Sequence, residues 1–238
     1  EDYTQPIASS RIGRRILPKG WYVIDDVELF PNGCGAYAFD SEGQRPQRVE
    51  LIQNGVVKEL LMSRIPREGQ TKSTGHGRFA MGERPVPLPA VVQIFPPKRT
   101  NSEALKKKGL KMSREAGNDY LIVIKRITPL ALNNDFEVAF SGDGPLSGLT
   151  RPVEAYRLYE NGKEEPIRGL RFHGADRRTL RDIAGAGEQS DWINLTDAAP
   201  GQGRDAIGDI YGLGTSWSAP ATLIAEMELR GKSGGEKR

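Results

Sequence analysis

Short apolar runs separated by turn residues dominate the chain and predict β-strands rather than helices. Five such runs, outside the two hairpins described next, lie at residues 21–29, 91–95, 120–127, 136–140 and 221–229. Together with few helical segments and 28 glycines, they predict a mainly β (α+β) fold. We expect antiparallel sheets or a partly closed barrel, with a few short helices.

Two Asn-Gly pairs predict β-hairpins, because Asn-Gly supplies the two positive φ angles that a type I′ turn requires. The pairs are Asn54-Gly55 and Asn161-Gly162. Apolar-rich runs flank both pairs, at 48–53 and 56–62 for the first and at 153–160 and 163–172 for the second. The second pair therefore predicts a hairpin of the same form as the first.

Helical signals occur in two places. Asn101 is typical of a helix cap and predicts a helix over residues 102–115, ending near Gly117. Asp176 predicts a cap for a second helix over residues 177–183, which the following glycines stop. Loops are expected at residues 85–89, 141–150 and 194–214.

Composition narrows the classes of partner. The 34 basic and 31 acidic residues give a net charge of only +3, and the basic run at residues 106–111 is interpreted as a solvated helix face. We therefore expect no nucleic-acid partner. No run of 18 apolar residues occurs, so no membrane partner is expected either. The single cysteine excludes an internal disulfide and suits a reducing compartment.

Four motifs, in this order and spacing, carry a resemblance to a known family. They are residues 33–43 (GCGAYAFDSEG), 51–58 (LIQNGVVK), 73–78 (STGHGR) and 154–163 (EAYRLYENGK). In these motifs the chain resembles the C-terminal half of the TldD/PmbA family, once called modulators of DNA gyrase. The resemblance predicts one domain over residues 1–231. The short polar tail at 232–238 is expected to be disordered, as chain termini commonly are.

The resemblance implies a cytoplasmic, two-subunit peptidase whose full-length members also have an N-terminal domain. The active subunit carries a His-Glu-x-x-x-His zinc motif and a ligand cysteine, and the PmbA-like subunit lacks this set. The expected function is that of the C-terminal domain of a zinc metallopeptidase acting on peptides or unstructured chains, with the metal site mostly outside this chain. The alternative is a catalytically silent PmbA-like scaffold that lines the substrate cleft and the dimer interface.

The residues available for chemistry do not supply a complete zinc site. His76 and His173 are far apart in sequence, and residues 201–214, where the family's ligand cysteine is expected, contain no cysteine. The metal ligands are therefore either outside this chain or absent, and the missing cysteine favours an absent or altered site. We predict no cofactor in this chain, assign no catalytic residue, and expect zinc in the full-length protein only if the metallopeptidase alternative holds. The expected partners are a peptide substrate and a TldD/PmbA-like subunit, as a homo- or heterodimer.

The polar run at residues 73–78 supplies the candidate site residues. Ser73, Thr74, His76 and Arg78 are predicted to line a peptide cleft, with a plain structural turn as the alternative. Cys34 is either a nucleophile with a histidine folded beside it or a small residue packed between glycines. The strand predicted at 120–127 offers an edge to which an extended peptide adds.

Overall fold

The computed structural model describes residues 12–66, 70–79, 85–127, 151–173, 179–189, 191–197 and 213–231, without the side chains of 189, 196 and 197. The chain divides into two compact units. Unit 1 comprises Glu1–Arg99 and Gln189–Ala221, and unit 2 comprises Thr100–Glu188 and Thr222–Arg238. The prediction of a single domain over 1–231 stays a prediction, and the tail at 232–238 lies outside the described residues.

Unit 1 is built on a six-stranded sheet. Its strands are β1 (Tyr22–Asp25), β2 (Val49–Gln53), β3 (Val56–Val57), β6 (Val91–Phe95), β12 (Ile193–Asp197) and β13 (Leu213–Ser218). Their order across the sheet is β12-β13-β6-β1-β2-β3. All neighbours pair antiparallel except β13 and β6, which run parallel. A short antiparallel pair accompanies the sheet, made of β4 (Gly77–Arg78) and β5 (Val86–Pro87).

The centre of the sheet supplies the core of unit 1, because central strands are covered on both faces. The side chains of Val49, Val91 and Val92 are at most 1% exposed. Trp21 and Met62 are buried with them. A buried carboxylate, Asp25, ends β1 inside this apolar region, and it becomes the centre of the site described below.

Unit 2 places one α-helix against small antiparallel sheets. The helix α1 (Ser102–Glu115) contacts β7 (Tyr120–Ile127), which pairs with β8 (Pro152–Tyr159), and β8 pairs with β9 (Glu164–Ile167). Gly109 allows the close approach, since a Cβ atom there would lie 2.7 Å from a methyl group of Leu121. The remaining strands form two pairs: β10 (Leu170–His173) with β15 (Glu228–Gly231), and β11 (Ile183–Gln189) with β14 (Pro220–Ile224).

The predicted fold class and the first helix are confirmed. The described residues form mostly antiparallel strands. The helix α1 begins after Asn101, whose side chain accepts a hydrogen bond from the amide of Ala104. Gly117 follows its end with a φ of 84°. The basic run lies on this helix, as expected, and two of its cations have local partners: Lys106 lies over the Tyr156 ring, and Lys111 lies 3.9 Å from a carboxylate oxygen of Glu115.

The two hairpins differ from each other. Asn54 and Gly55 have φ angles of 52° and 78° between β2 and β3, as the type I′ prediction requires. In the second hairpin Gly162 is at φ 81°, whereas Asn161 is not at positive φ. Its loop closes with the Tyr159 amide donating to the Lys163 carbonyl, so a three-residue loop replaces the predicted two-residue turn.

Other predicted elements need correction. The strand predicted at 21–29 ends at Asp25, and a short 3-10 helix (Val27–Leu29) follows it. The strand predicted at 221–229 is two strands, β14 and β15. The described part of the second predicted helix is a short 3-10 turn (Thr179–Arg181) followed by β11. Residues 136–140 lie outside the described residues.

The loop predictions are tested only in part. Residues 85–89 contain the short strand β5. Residues 141–150 lie outside the described residues. The third predicted loop, 194–214, contains most of β12 and the start of β13. No helix in the described part of the chain is long and apolar enough to cross a membrane.

Candidate functional site

Hydrogen bonds to Met62 hold the 73–78 segment against a neighbouring part of unit 1. The Met62 carbonyl accepts hydrogen bonds from the amides of Thr74 and His76, at 3.2 and 3.4 Å. The Met62 amide in turn donates to the Thr74 hydroxyl at 2.8 Å. These reciprocal bonds fix the segment through its backbone, so its side chains are held in defined positions.

Two glycines allow the segment to pass close to the loop at residues 39–45. Gly75 has a φ of 73°, and a Cβ atom there would lie 2.1 Å from the Arg45 carbonyl oxygen. The amide of Gly77 donates to the buried Asp40 carboxylate at 2.9 Å. The same carboxylate accepts the amides of Glu42 and Gln44, so one side chain organises both the loop and the segment.

His76 and Asp25 form the buried centre of the site, and both side chains are 0% exposed. The Asp25 carboxylate accepts the amides of Ala90 at 2.9 Å and Val91 at 3.0 Å. The Nε2 atom of His76 lies 3.5 Å from Asp25 Oδ1 and makes no hydrogen bond. Its Nδ1 atom lies 3.0 Å from both the hydroxyl and the carbonyl oxygen of Thr74.

Arg78 is a buried cation held by carbonyl oxygens and an aromatic ring. Its guanidinium donates to the carbonyls of Pro89 and Gly214, the latter at 2.7 Å. It lies 4.9 Å from the centre of the Tyr37 ring, which is within the range of a cation–π interaction. The Tyr37 hydroxyl donates to the Gly75 carbonyl at 2.8 Å. Tyr37 therefore contacts the segment both at Gly75 and at Arg78.

Burial shifts the pKa values of both Tyr37 and Arg78 in the direction that favours the neutral form of each side chain. Burial raises the pKa of the Tyr37 phenol, a shift that the Arg78 charge opposes and the Asp25 and Asp40 carboxylates increase. Burial likewise lowers the pKa of the Arg78 guanidinium, while Tyr37, Asp25 and Cys34 raise it. The site therefore brings several charged and ionisable side chains together in a largely buried region.

The four predicted site residues differ in exposure. Ser73 and Thr74 are partly exposed, whereas His76 is 0% and Arg78 6% exposed. Only the first two therefore present side chains at the surface of the chain described here, and the cleft-lining role stays a prediction. Asp25 and Tyr37 were missed by sequence reasoning. The available signal for Asp25 was its position directly after the apolar run Tyr22–Ile24.

Cys34 contacts carbonyl oxygens. Its Sγ atom lies 3.2 Å from the Thr215 carbonyl oxygen and its amide donates to the Asn194 side chain at 3.1 Å. A carbonyl accepts the thiol proton but does not remove it, so these contacts do not activate a nucleophile. The flanking glycines are tightly packed, since a Cβ atom on Gly35 would lie 2.0 Å from the Ala90 carbonyl oxygen. This geometry favours the packing interpretation of Cys34.

Comparison with protein families identifies the family of the chain. The family model described as the PmbA/TldA metallopeptidase C-terminal domain matches residues 4–231. The chain belongs to this family. The match includes both units and the whole 73–78 segment, and it confirms the resemblance seen in the four sequence motifs.

Two curated relatives of the PmbA/TldA chain are named as metalloproteases. A metalloprotease of Methanothermobacter thermautotrophicus is 23% identical over 184 residues, which are 76% of this chain and 36% of that protein. Metalloprotease PmbA of Escherichia coli O157:H7 is 38% identical over 66 residues, or 27% of this chain and 14% of that protein. The chain thus matches well under half the length of either relative.

Solved structures share the fold of this PmbA/TldA chain. A proposed modulator of a DNA gyrase from Thermotoga maritima aligns with a TM-score of 0.60 and 18% identity, over 95% of this chain and 42% of that one. TldE from Thermococcus kodakarensis aligns with a TM-score of 0.56 and 13% identity, over 94% and 43%. At these identities the likeness shows the fold alone.

The metalloprotease names imply a metal in the family, but the described residues of this PmbA/TldA chain do not fit one. Among them, no group of three or more His, Cys, Asp or Glu side chains comes together. The His76 Nδ1 atom is engaged by Thr74, and the Asp25 oxygens accept backbone amides. The Cys34 thiol lies against carbonyl oxygens. Apart from the Nε2 atom of His76, which makes no hydrogen bond, these donor atoms already have partners, and they do not converge on one position.

Proposed function

We propose that this chain is the C-terminal domain of a PmbA/TldA-type metallopeptidase that acts on peptides or unstructured chains. The metal ligands then come from residues outside this chain. The family match over residues 4–231 is the observation that carries the proposal. It is supported by the lengths of the relatives, since the chain matches only 36% of the Methanothermobacter metalloprotease. Zinc is the metal that the resemblance implies, and its chemistry would be polarisation of water or of the peptide carbonyl.

In this proposal the 73–78 segment forms one wall of the peptide cleft. Ser73 and Thr74 are its partly exposed members and are the groups that meet the peptide. His76 and Arg78 are buried, so they act beneath this surface as positioning residues. An unstructured substrate offers repeated backbone amides and carbonyls, and a rigid polar segment recognises these without reading sequence.

The test is hydrogen–deuterium exchange of the chain with and without an unstructured peptide. We expect the peptide to slow exchange at residues 70–75 and to leave the helix α1 unchanged. Slowed exchange only at β7 would place the peptide on the predicted edge at 120–127 and remove the 73–78 segment from the cleft. No change anywhere in the chain would contradict peptide binding by this domain.

The second candidate is a catalytically silent scaffold in a cytoplasmic homo- or heterodimer. Exposed apolar side chains favour it, because unit 1 presents Phe39 at 55%, Ile193 at 55% and Leu195 at 44% exposure. In this candidate function these side chains belong to the interface with the second subunit. A scaffold predicts a stable dimer that contains no zinc, whereas the metallopeptidase predicts zinc in the gene product that contains this chain.

A further inference from the structure

Three Asn-Gly pairs occur in the chain, at Asn32-Gly33, Asn54-Gly55 and Asn161-Gly162. Asn-Gly pairs are prone to spontaneous deamidation, because glycine has no side chain to obstruct its own amide nitrogen. That nitrogen bonds to the side-chain carbonyl carbon of the asparagine, and the side-chain nitrogen departs as ammonia, which takes up the proton that the glycine nitrogen has lost. Water then opens the resulting succinimide ring and leaves aspartate or isoaspartate. Because the two groups must move to meet, the contacts of each pair decide how readily it reacts.

The Asn54-Gly55 turn is covered by other residues of unit 1. The Gly55 amide, which is the attacking group, donates to the Trp21 carbonyl at 2.7 Å. The Asn54 side-chain oxygen accepts the Gly20 amide at 2.6 Å. Gly55 is buried, and a Cβ atom there would lie 2.3 Å from the Leu17 carbonyl oxygen. Both reacting groups are therefore held by residues 17–21, and they meet only if the turn separates from that stretch.

The Asn32-Gly33 turn is also held by long-range contacts. A Cβ atom on Gly33 would lie 2.4 Å from the side-chain oxygen of Ser216 on β13. The amide of the next residue, Cys34, donates to the side chain of Asn194 on β12 at 3.1 Å. This turn therefore opens only when its packing against two strands of unit 1 is lost.

The Asn161-Gly162 loop is held by hydrogen bonds of its own residues in the part of the chain that the structure describes. The Gly162 amide donates to the Tyr159 carbonyl at 3.0 Å, and the Asn161 side-chain oxygen accepts the Lys163 amide at 2.9 Å. Residues 160–164 are all exposed, and a Cβ atom on Gly162 would have no neighbour within 4 Å. An exposed loop tip with only local hydrogen bonds opens at a small cost in free energy.

The helix α1 also contacts this loop, through an ion pair of Arg114 with Glu160. The two side chains are 61% and 72% exposed, so solvent weakens the pair. The pair holds neither the Gly162 nitrogen nor the Asn161 side chain. We propose that Asn161 is a site of spontaneous deamidation in the folded protein, and that the packing of unit 1 protects the other two Asn-Gly pairs.

Deamidation changes the charge of one surface of unit 2. The new carboxyl group at position 161 is ionised at neutral pH. It lies at a cavity of about 360 Å³ that is also lined by Asp119 and Glu160, so the modified cavity is more acidic. The reaction takes only water and does not involve the 73–78 segment. Its test is therefore separate from that of peptide binding.

Peptide mapping by mass spectrometry tests the proposal on the unaltered 238-residue chain. The folded chain is incubated at mildly alkaline pH and then digested at mildly acidic pH, which limits deamidation during digestion. We expect aspartate and isoaspartate to accumulate at Asn161 at least about tenfold faster than at Asn32 or Asn54, because those turns open only with the surrounding packing. Equal or faster conversion at Asn32 or Asn54 would overturn the proposal.

The same incubation in urea separates the effect of folding from that of sequence. In the unfolded chain the three pairs are expected to react at similar rates, and the same preference for Asn161 there would show that folding does not cause it. Isoelectric focusing of variants gives a second measurement. Asn161→Gln is expected to remove most of the acidic product, whereas Asn32→Gln, at another exposed position, leaves it. An undiminished acidic product in Asn161→Gln would contradict the assignment. If a variant does not fold, mapping of the unaltered chain still decides.

Discussion

Asp25 connects two strands of unit 1, because its buried carboxylate at the end of β1 accepts two backbone amides at the start of β6. Replacing it by alanine leaves two buried amides, of Ala90 and Val91, without an acceptor. Each unsatisfied buried donor is unfavourable, so Asp25→Ala is expected to lower the free energy of unfolding by roughly 3–5 kcal/mol. Urea denaturation followed by tryptophan fluorescence measures this loss.

The matched control for Asp25→Ala is Asp191→Ala, because Asp191 is exposed in the same unit. Its change is expected to stay within about 0.5 kcal/mol. All three tryptophans belong to unit 1, at Trp21, Trp192 and Trp217, so fluorescence reports the unit that contains both variants. Equal effects of the two substitutions would contradict the role given to the buried carboxylate.

Tyr37 contributes a pH-dependent part of the stability. Burial raises the pKa of its phenol, so the folded state keeps the proton after the unfolded chain begins to lose it. The stabilisation is present below about pH 10 and is lost progressively above it. Tyr37→Phe is therefore expected to flatten the alkaline loss of stability, measured by urea denaturation between about pH 8 and 11.

At neutral pH, Tyr37→Phe also removes the hydrogen bond to the Gly75 carbonyl, for a loss of about 1 kcal/mol. Tyr22→Phe is the control, since Tyr22 is exposed at 39%. If Tyr37→Phe loses stability with rising pH as steeply as the unaltered chain, groups other than Tyr37 cause the alkaline loss.

Sequence predicts the site only in part, because its decisive contacts are long-range. The polar character of the 73–78 segment and its two glycines were visible locally. The burial of His76 and Arg78 was not, since it depends on Asp25 and on Gly214, which lie 51 and 136 positions away. No local pattern indicates that a histidine faces a carboxylate across such a separation.

At the scale of elements, the helix α1 is stabilised by its cap. The Asn101 side chain accepts the Ala104 amide at 2.8 Å. Asn101→Ala is expected to lower the stability of unit 2 by about 1 kcal/mol, measured by circular dichroism at 222 nm during urea denaturation. Ser102→Ala, at the exposed first helical position, is expected to change it little. A larger effect of Ser102→Ala would contradict the cap assignment.

Elements with strong local signals were predicted well, and elements fixed by pairing were not. Asn101 and Gly117 bound α1, and Asn54-Gly55 forms a turn, and each of these signals is visible in a few neighbouring residues. The strand β11 was not predicted, and its first residue, Ile183, was placed at the end of a helix, because the run IAGAGEQ has no strand-like side-chain pattern. It is a strand because it pairs with β14, and Gly185 leaves room for Leu105 of α1.

At the scale of the whole molecule, the order of motifs carries more information than any one motif. Four short patterns, spread from residue 33 to residue 163, led to the family that the match over residues 4–231 shows. The division into two units was not visible in the sequence. Unit 1 is formed by two separate segments, Glu1–Arg99 and Gln189–Ala221. No change in composition marks the start of the second segment.

The zinc content of the chain tests most directly whether the metal ligands lie outside it. Elemental analysis is made on the purified 238-residue chain and on the gene product that contains it, both after dialysis with zinc. We expect far less than one zinc in the chain and about one in the gene product. About one zinc retained by the chain itself, and lost in Cys34→Ser or His173→Gln, would contradict the account.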